Sequence, residues 1–173
     1  SNHFSFSPKQ TMRTAQNLYE GGYITYMRTD SKTYSKEFVE KGKKFIKNKY
    51  GENFVGKHCN ELITNGKSPK KTKKKTKKKT TKKQNDMAQE AHEAIRPTKI
   101  EKIQIQEGGK IGYQEVRLYN LIWKNTVESL MEKAIYESIT AEISSPQKNK
   151  YKYSIERVIF KGWKILEKDE EDL

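Results

Sequence analysis

Residues 67 to 83 hold eleven lysines (67, 70, 71, 73, 74, 75, 77, 78, 79, 82 and 83) and no acid. Like charges at that density repel one another, and the run has nothing apolar to bury, so it cannot join a core. The expectation is a disordered insertion over about 67–86, with folded structure confined to what precedes and follows it. The formal net charge is +14, and setting these eleven lysines aside leaves +3, so the remainder is a mildly basic domain of ordinary kind. The insertion reads as a solvated excursion or as an electrostatic tether for nucleic acid, and the two are compatible. Lys73, Lys74, Lys75, Lys77, Lys78 and Lys79 are its candidate phosphate contacts.

Other classes are narrowed by composition. A lone cysteine, Cys59, excludes an internal disulfide framework and a zinc site built from cysteines. His58 beside it brings the possible ligands to two, too few for a metal centre. No run of eighteen apolar residues is present, so no membrane-spanning helix is expected. The beginning, Ser1-Asn2-His3-Phe4, is not a signal peptide and lacks a methionine, which suggests a piece of a longer chain.

Periodicity places the elements. Ser7-Pro8-Lys9-Gln10 is a helix start, with a capping serine, a proline suited to the first turn and a glutamine placed to close a capping box. Met12, Ala15, Leu18 and Tyr19 then form an apolar stripe, ended by Gly21-Gly22. Ser35 caps a second helix to about Lys49, stopped by Gly51. Met87 to Ile95 is expected to form a helical turn or two before Pro97, and Tyr113 to about Lys133 a full helix. Tyr136–Ile143 and Lys150–Phe160 alternate as strands around a turn at 144–149, and Lys161-Gly162-Trp163 opens a last short strand. The end, from Glu167, is an acidic run expected to be loose.

The stretch richest in chemistry is Tyr23-Ile24-Thr25-Tyr26-Met27-Arg28-Thr29-Asp30-Ser31. Its first half alternates like a strand, which would set Tyr26 and Arg28 on one face. A phenol able to attack phosphorus would then stand beside a guanidinium able to hold a phosphate. Free tyrosine has a pKa near 10, so its attack needs a neighbouring cation or a proton acceptor. Arg28 suits that role and can also offset charge growing on the phosphate. Asp30 is placed to orient Arg28 by pairing with it, and Thr29, Asp30 and Ser31 are candidate DNA contacts or a simple turn.

Gly22 to Ser31 resembles the active-site tyrosine segment of type IA DNA topoisomerases. Gln89-Glu90-Ala91-His92-Glu93-Ala94-Ile95-Arg96-Pro97-Thr98 resembles that family's second signature, in the same order along the chain. The runs Lys9 to Glu20 and Leu118 to Trp123 are also similar to it, so the resemblance covers nearly everything but the lysine-rich stretch. It implies an α+β fold: a helical, tyrosine-bearing domain over 1–105, then a helix and antiparallel β-ribbon over 106–173 that form the returning limb of an arch-like β domain. It implies Tyr26 as the nucleophile that forms a 5′-phosphotyrosine, with Arg28 as its catalytic partner. His92 would lie near the DNA backbone. Arg96 would either contact a phosphate or pair with Glu93.

The family takes Mg2+ from a separate acidic domain with a Glu and a DxDxE pattern, and this chain has no DxDxE. The resemblance therefore implies magnesium ligands, and the acid for the leaving 3′ oxygen, elsewhere in the polypeptide, so the isolated piece is expected to be inactive. It further implies an ATP-independent isomerase that is intracellular and DNA-associated (in a nucleoid or viral factory). Its partners would be single-stranded or underwound DNA and the rest of its own polypeptide, and it would act as a monomer. Two other readings compete. Tyrosine recombinases and type IB enzymes place the tyrosine late, after a His-x-x-Arg pair, whereas here it comes early and the spacing is His92-x-x-x-Arg96. A non-catalytic nucleic-acid-binding module would use the lysine-rich run alone.

Overall fold

The computed structural model describes residues 5–63, 93–145 and 149–167. The lysine-rich run, residues 87–92 with His92, the turn residues 146–148 and the acidic end lie outside them. The described elements are α1 (Pro8–Glu20), α2 (Lys36–Tyr50), 3₁₀ turns at Glu52–Phe54 and Lys57–Leu62, α3 (Tyr113–Leu130), β1 (Ile135–Ser144), β2 (Lys150–Phe160) and a 3₁₀ turn at Gly162–Leu166. The fold is α+β, as the sequence suggests.

Both early helices start where their caps place them. Ser7 Oγ accepts the Gln10 N–H at 3.2 Å, with Pro8 in the first turn. Ser35 Oγ accepts the Phe38 N–H at 3.4 Å, and α2 stops at Gly51, whose φ of 107° few other residues adopt. The stripe on α1 differs from expectation in one place. Ala15 and Leu18 are buried, but Met12 stays 40% exposed and Thr14 is buried instead. Helix α3 ends at Leu130, a little short of the expected Lys133.

One core joins all three helices. Leu18 from α1, Val39 and Ile46 from α2, and Tyr119, Trp123, Val127 and Leu130 from α3 are buried together with Ile100. Gly42 lets α3 come close, since a Cβ there would collide with Leu130 Cδ1. The connecting segment is tied to α3 as well: Trp123 Nε1–H donates to Ile100 O at 2.8 Å, and the Tyr119 hydroxyl donates to Lys102 O. Burial, with the nearby Tyr23 adding to it, pushes the Tyr119 phenol up to about 12.

The ribbon leaves this core. β1 and β2 pair antiparallel, Ile139 opposite Ile155 and Thr140 opposite Ser154, with an irregularity between Ile135 and Tyr136. Alternation puts Ile139, Ala141, Ile143, Tyr151, Tyr153 and Ile155 on one face. The other face carries polar pairs: Thr140 bonded to Ser154 at 3.0 Å and Lys152 to Glu142 at 2.8 Å. Both faces are exposed, with Tyr153 at 64%. The expected last strand is absent. Residues Gly162–Leu166 form a 3₁₀ turn instead, because the chain folds back on the core there. Trp163 N–H donates to Glu132 O at 3.0 Å, and Gly162, at φ 51°, has no room for a Cβ against the Glu132 and Lys133 backbone. Residues 93–95, the described part of the helical turn expected before Pro97, are not helical.

Candidate active site

The stretch from Gly22 to Ser31 is an ordered loop, and the strand expected there does not form. Ile24 makes an isolated antiparallel bridge with Pro97. Two reasons stop a ladder. The Arg96 N–H, which would continue the pairing to the Thr25 carbonyl, goes to the Thr25 hydroxyl instead, and Ile24 and Thr25 are both buried, which breaks the alternation of a strand. The loop is latched to residues 94–98 instead. Thr25 N–H donates to Arg96 O at 2.9 Å and Thr98 N–H to Tyr23 O at 3.0 Å. The Thr25 hydroxyl donates to Ala94 O at 2.9 Å and accepts the Arg96 N–H at 3.0 Å. Sequence reasoning gave Thr25 no such part. Its only local signal is a hydroxyl residue inside an apolar run.

Tyr26 is half-buried, its ring edge-on to Tyr19 with centroids 5.3 Å apart. Met27 is buried behind it and Arg28 is exposed. Among the described residues, the Tyr26 hydroxyl has no hydrogen bond and Arg28 no ion pair, so the suggested pairing of Asp30 with Arg28 is absent there. After Arg28 the chain turns on its own hydroxyls. Ser31 N–H donates to Thr29 Oγ1 at 3.1 Å and Thr33 N–H to Ser31 Oγ at 3.3 Å, while Asp30 stays exposed. Tyr23 is a support: its ring meets Tyr119 at 6.2 Å and lies under Lys102 Nζ at 4.6 Å.

Arg96 is taken up within the protein. Its Nε and Nη2 donate to the two Glu93 carboxylate oxygens at 2.8 Å each, and its Nη1 to Pro97 O at 3.0 Å. Its guanidinium lies 4.1 Å above the Phe38 ring. Glu93 also accepts the Ser35 N–H at 2.6 Å, which ties the latch to the N-terminus of α2. Burial alone would raise the Glu93 carboxyl. The Arg96 and Ser35 bonds outweigh it and hold the group below its usual value. A folded-state pKa below the unfolded one gives stability that is complete above the unfolded value and lost as pH falls through the folded one. The Glu93 contribution is thus expected to fade below about pH 4.5. Arg96→Ala strands a buried carboxylate, and about 3–5 kcal/mol of unfolding free energy should go with it. Urea unfolding at pH 7 and at pH 3.5 measures both. The loss should be largest at pH 7 and shrink toward pH 3.5, as the pH moves down toward the lowered folded-state value of Glu93 and the contribution of its pair with Arg96 fades.

Both roots of the lysine-rich segment attach beside the same loop. The chain leaves the described structure after Ile63, which bridges Tyr34, and returns at Glu93, with Ala94 N–H donating to Thr33 O at 2.8 Å. His92 and the six lysines fall outside the described residues. His58 and Cys59 have structural work: His58 Nε2 lies 2.9 Å from Ser129 O, and Cys59 Sγ donates to Leu130 O at 3.1 Å, both at the end of α3. Among the described residues no three His, Cys, Asp or Glu side chains cluster to hold a metal ion. None of the described helices is long and apolar enough to cross a membrane.

A half-buried phenol whose hydroxyl has no partner among the described residues, followed two residues later by a guanidinium with no ion pair among them, suits attack on an anionic ester. The family model for DNA topoisomerase matches residues 1–173. The chain is 39% identical to DNA topoisomerase 1 of Buchnera aphidicola subsp. Acyrthosiphon pisum over 162 residues, which cover 93% of this chain and 16% of that protein. It is 36% identical to DNA topoisomerase 1 of Helicobacter pylori, over 99% of this chain and 22% of that one. It is also 36% identical to the prokaryotic-type DNA topoisomerase 1 of Acanthamoeba polyphaga mimivirus, over 92% of this chain. The structure of full-length topoisomerase I from Thermotoga maritima superimposes with a TM-score of 0.70 at 28% identity, covering 98% of this chain and 25% of that one. The chain belongs to the DNA topoisomerase family, in its type IA branch. It spans about a fifth of the length of the curated relatives it matches.

Proposed function

We propose that Tyr26 is the nucleophile of single-strand DNA cleavage and resealing in the enzyme these residues help to form. Its Oη attacks the scissile phosphorus, a new P–O bond forms, and the bond to the 3′ oxygen breaks. The 3′ oxygen leaves as a hydroxyl, and the 5′ phosphate stays on the tyrosine. Resealing reverses this, and because the ester bond energy is conserved no ATP is needed. The observation that carries this reading is the Tyr26 hydroxyl, held in place by its ring yet without a hydrogen bond among the described residues.

Arg28 holds the scissile phosphate. Thr29, Asp30 and Ser31 line the approach of the strand, and His92 stands near its backbone. Arg96 acts on DNA through the latch it makes with Glu93, positioning Tyr26 from behind. The lysine-rich run, rooted beside the loop, adds attraction for the backbone. Magnesium, when bound by carboxylates elsewhere in the polypeptide, supplies charge stabilisation at the phosphates, and residues 1–173 alone are inactive without it. The substrate is single-stranded or underwound DNA, and the enzyme is a DNA-associated monomer. Residues 1–105 form its tyrosine-bearing domain and 106–173 a limb of the β arch, although α3 shares the core of α1 and α2.

An oligonucleotide labelled at one end or the other tests this. In the full enzyme with magnesium, denatured adduct should carry the 3′ label and lose the 5′ label, since Tyr26 keeps the 5′ phosphate. Adduct carrying the 5′ label instead would place this tyrosine with the recombinases and type IB enzymes.

A further inference from the structure

Helix α2 carries six lysines and two glutamates, and the structure sorts them. Lys43 pairs with Glu40 at 3.1 Å and reaches Asn60 at 2.8 Å, and Lys47 pairs with Glu52 at 2.8 Å. Lys41, Lys44 and Lys49 are exposed and have no ion pair among the described residues. They are not scattered. Lys41 and Lys44 stand on the ridge between two grooves of about 540 and 440 Å³, lining both. Lys49 lines the second groove with Phe45 and Asn48, and its ammonium lies 5.8 Å from the Phe45 ring, 5.5 Å from Tyr50 and 6.0 Å from Trp123. Those rings hold the Lys49 head against the helix, so less of its freedom is lost when it meets a phosphate. Glu101 also lines this groove, and it is exposed.

We propose that this face of α2 is a second contact surface for the DNA sugar-phosphate backbone, apart from the phosphate that Tyr26 attacks. Lys41 and Lys44 lie about 4.5 Å apart along the axis and Lys49 about 12 Å from Lys41, a length that two or three successive phosphates can follow. The tyrosine loop and this ridge are separate in the fold. Tyr26 rests on Tyr19 of α1, whereas the ridge belongs to α2. The surface rests on the reading of the family as DNA enzymes, and not on the role of any residue in cleavage.

The test is a triple substitution, Lys41→Gln, Lys44→Gln and Lys49→Gln, in the full enzyme. Glutamine has nearly the helix propensity of lysine, so folding should be kept, and the melting temperature checks that. Three lost phosphate contacts on a single strand should flatten the log–log salt dependence of binding by about 2. Between 50 and 200 mM salt, the loss of affinity should then shrink by about twentyfold. A control pair, Lys43→Gln with Lys47→Gln, removes lysines already paired and should flatten the slope by less than about 1. Lys→Arg at the same three positions should restore the slope. Adduct formation at saturating DNA should be unchanged in the triple variant. An unchanged slope, or equal flattening in the control, overturns the proposal, and so does lost adduct at saturation, which would place the face in the cleavage step. The salt slopes stand whether or not Tyr26 proves to be the nucleophile, so the two readings fail separately.

Discussion

Tyr26→Phe in the full enzyme is expected to abolish the covalent DNA adduct, taking it to background, while affinity for uncleaved DNA stays within about twofold. The size of the first effect follows from the chemistry: without Oη there is no atom to form the ester. The smallness of the second follows from the packing. The substitution removes one oxygen that makes no hydrogen bond among the described residues, and the ring keeps its edge-on contact with Tyr19. Loop position should also hold, because the latch runs through Thr25, Ala94 and Arg96 and not through the phenol. A denaturing gel with labelled single-stranded DNA, beside an equilibrium titration, reads both. An adduct of normal intensity would remove Tyr26 from the chemistry. Binding that collapsed together with the adduct would mean the phenol mainly holds the loop.

The helices were legible because their signals are local. Ser7 with Pro8, and Ser35 with Gly51, sit within a few residues of the backbone groups they satisfy. The ribbon was legible for the same reason, through a two-residue period over each strand. The tyrosine loop was legible as a motif but not as a conformation. Its apparent alternation matched a strand, yet the partners that shape it lie far away, with Thr25 bonded to Ala94 at a separation of 69 residues across the lysine-rich run. No periodicity in one segment reports such a contact. Arg96 and Glu93 stand three residues apart, so their pairing was one of two open choices. The burial that decides it, with Phe38 beneath the guanidinium, depends on where α2 packs. Gly162 misled for a related reason. Apolar neighbours suggested a strand, while the nearness of Glu132 and Lys133 requires a residue without a Cβ.

Arg28 and Arg96 should separate in opposite ways under mutation, and the difference tests the site. Arg96 is bound within the protein, so its loss is a loss of stability. Arg28 is exposed and has no ion pair among the described residues, so Arg28→Ala should leave unfolding within about 0.5 kcal/mol of the unaltered enzyme. Its effect should fall on rate. Removing one preorganised donor to a developing anion typically costs about 2.7–4 kcal/mol, or roughly 100- to 1000-fold. Arg28→Ala in the full enzyme is expected to slow single-turnover cleavage by at least that range. Arg28→Lys should lie between, since it keeps the charge but loses the planar fork that meets two phosphate oxygens at once. Affinity for uncleaved DNA should fall much less, because many contacts along the backbone hold the strand. Cleavage and binding measured on one oligonucleotide distinguish the cases. Equal losses in rate and affinity would show that Arg28 binds the ground state and the transition state alike. A rate close to normal, with stability also intact, would leave Arg28 outside the site and return the stabilisation of the cleaved phosphate to groups beyond these residues.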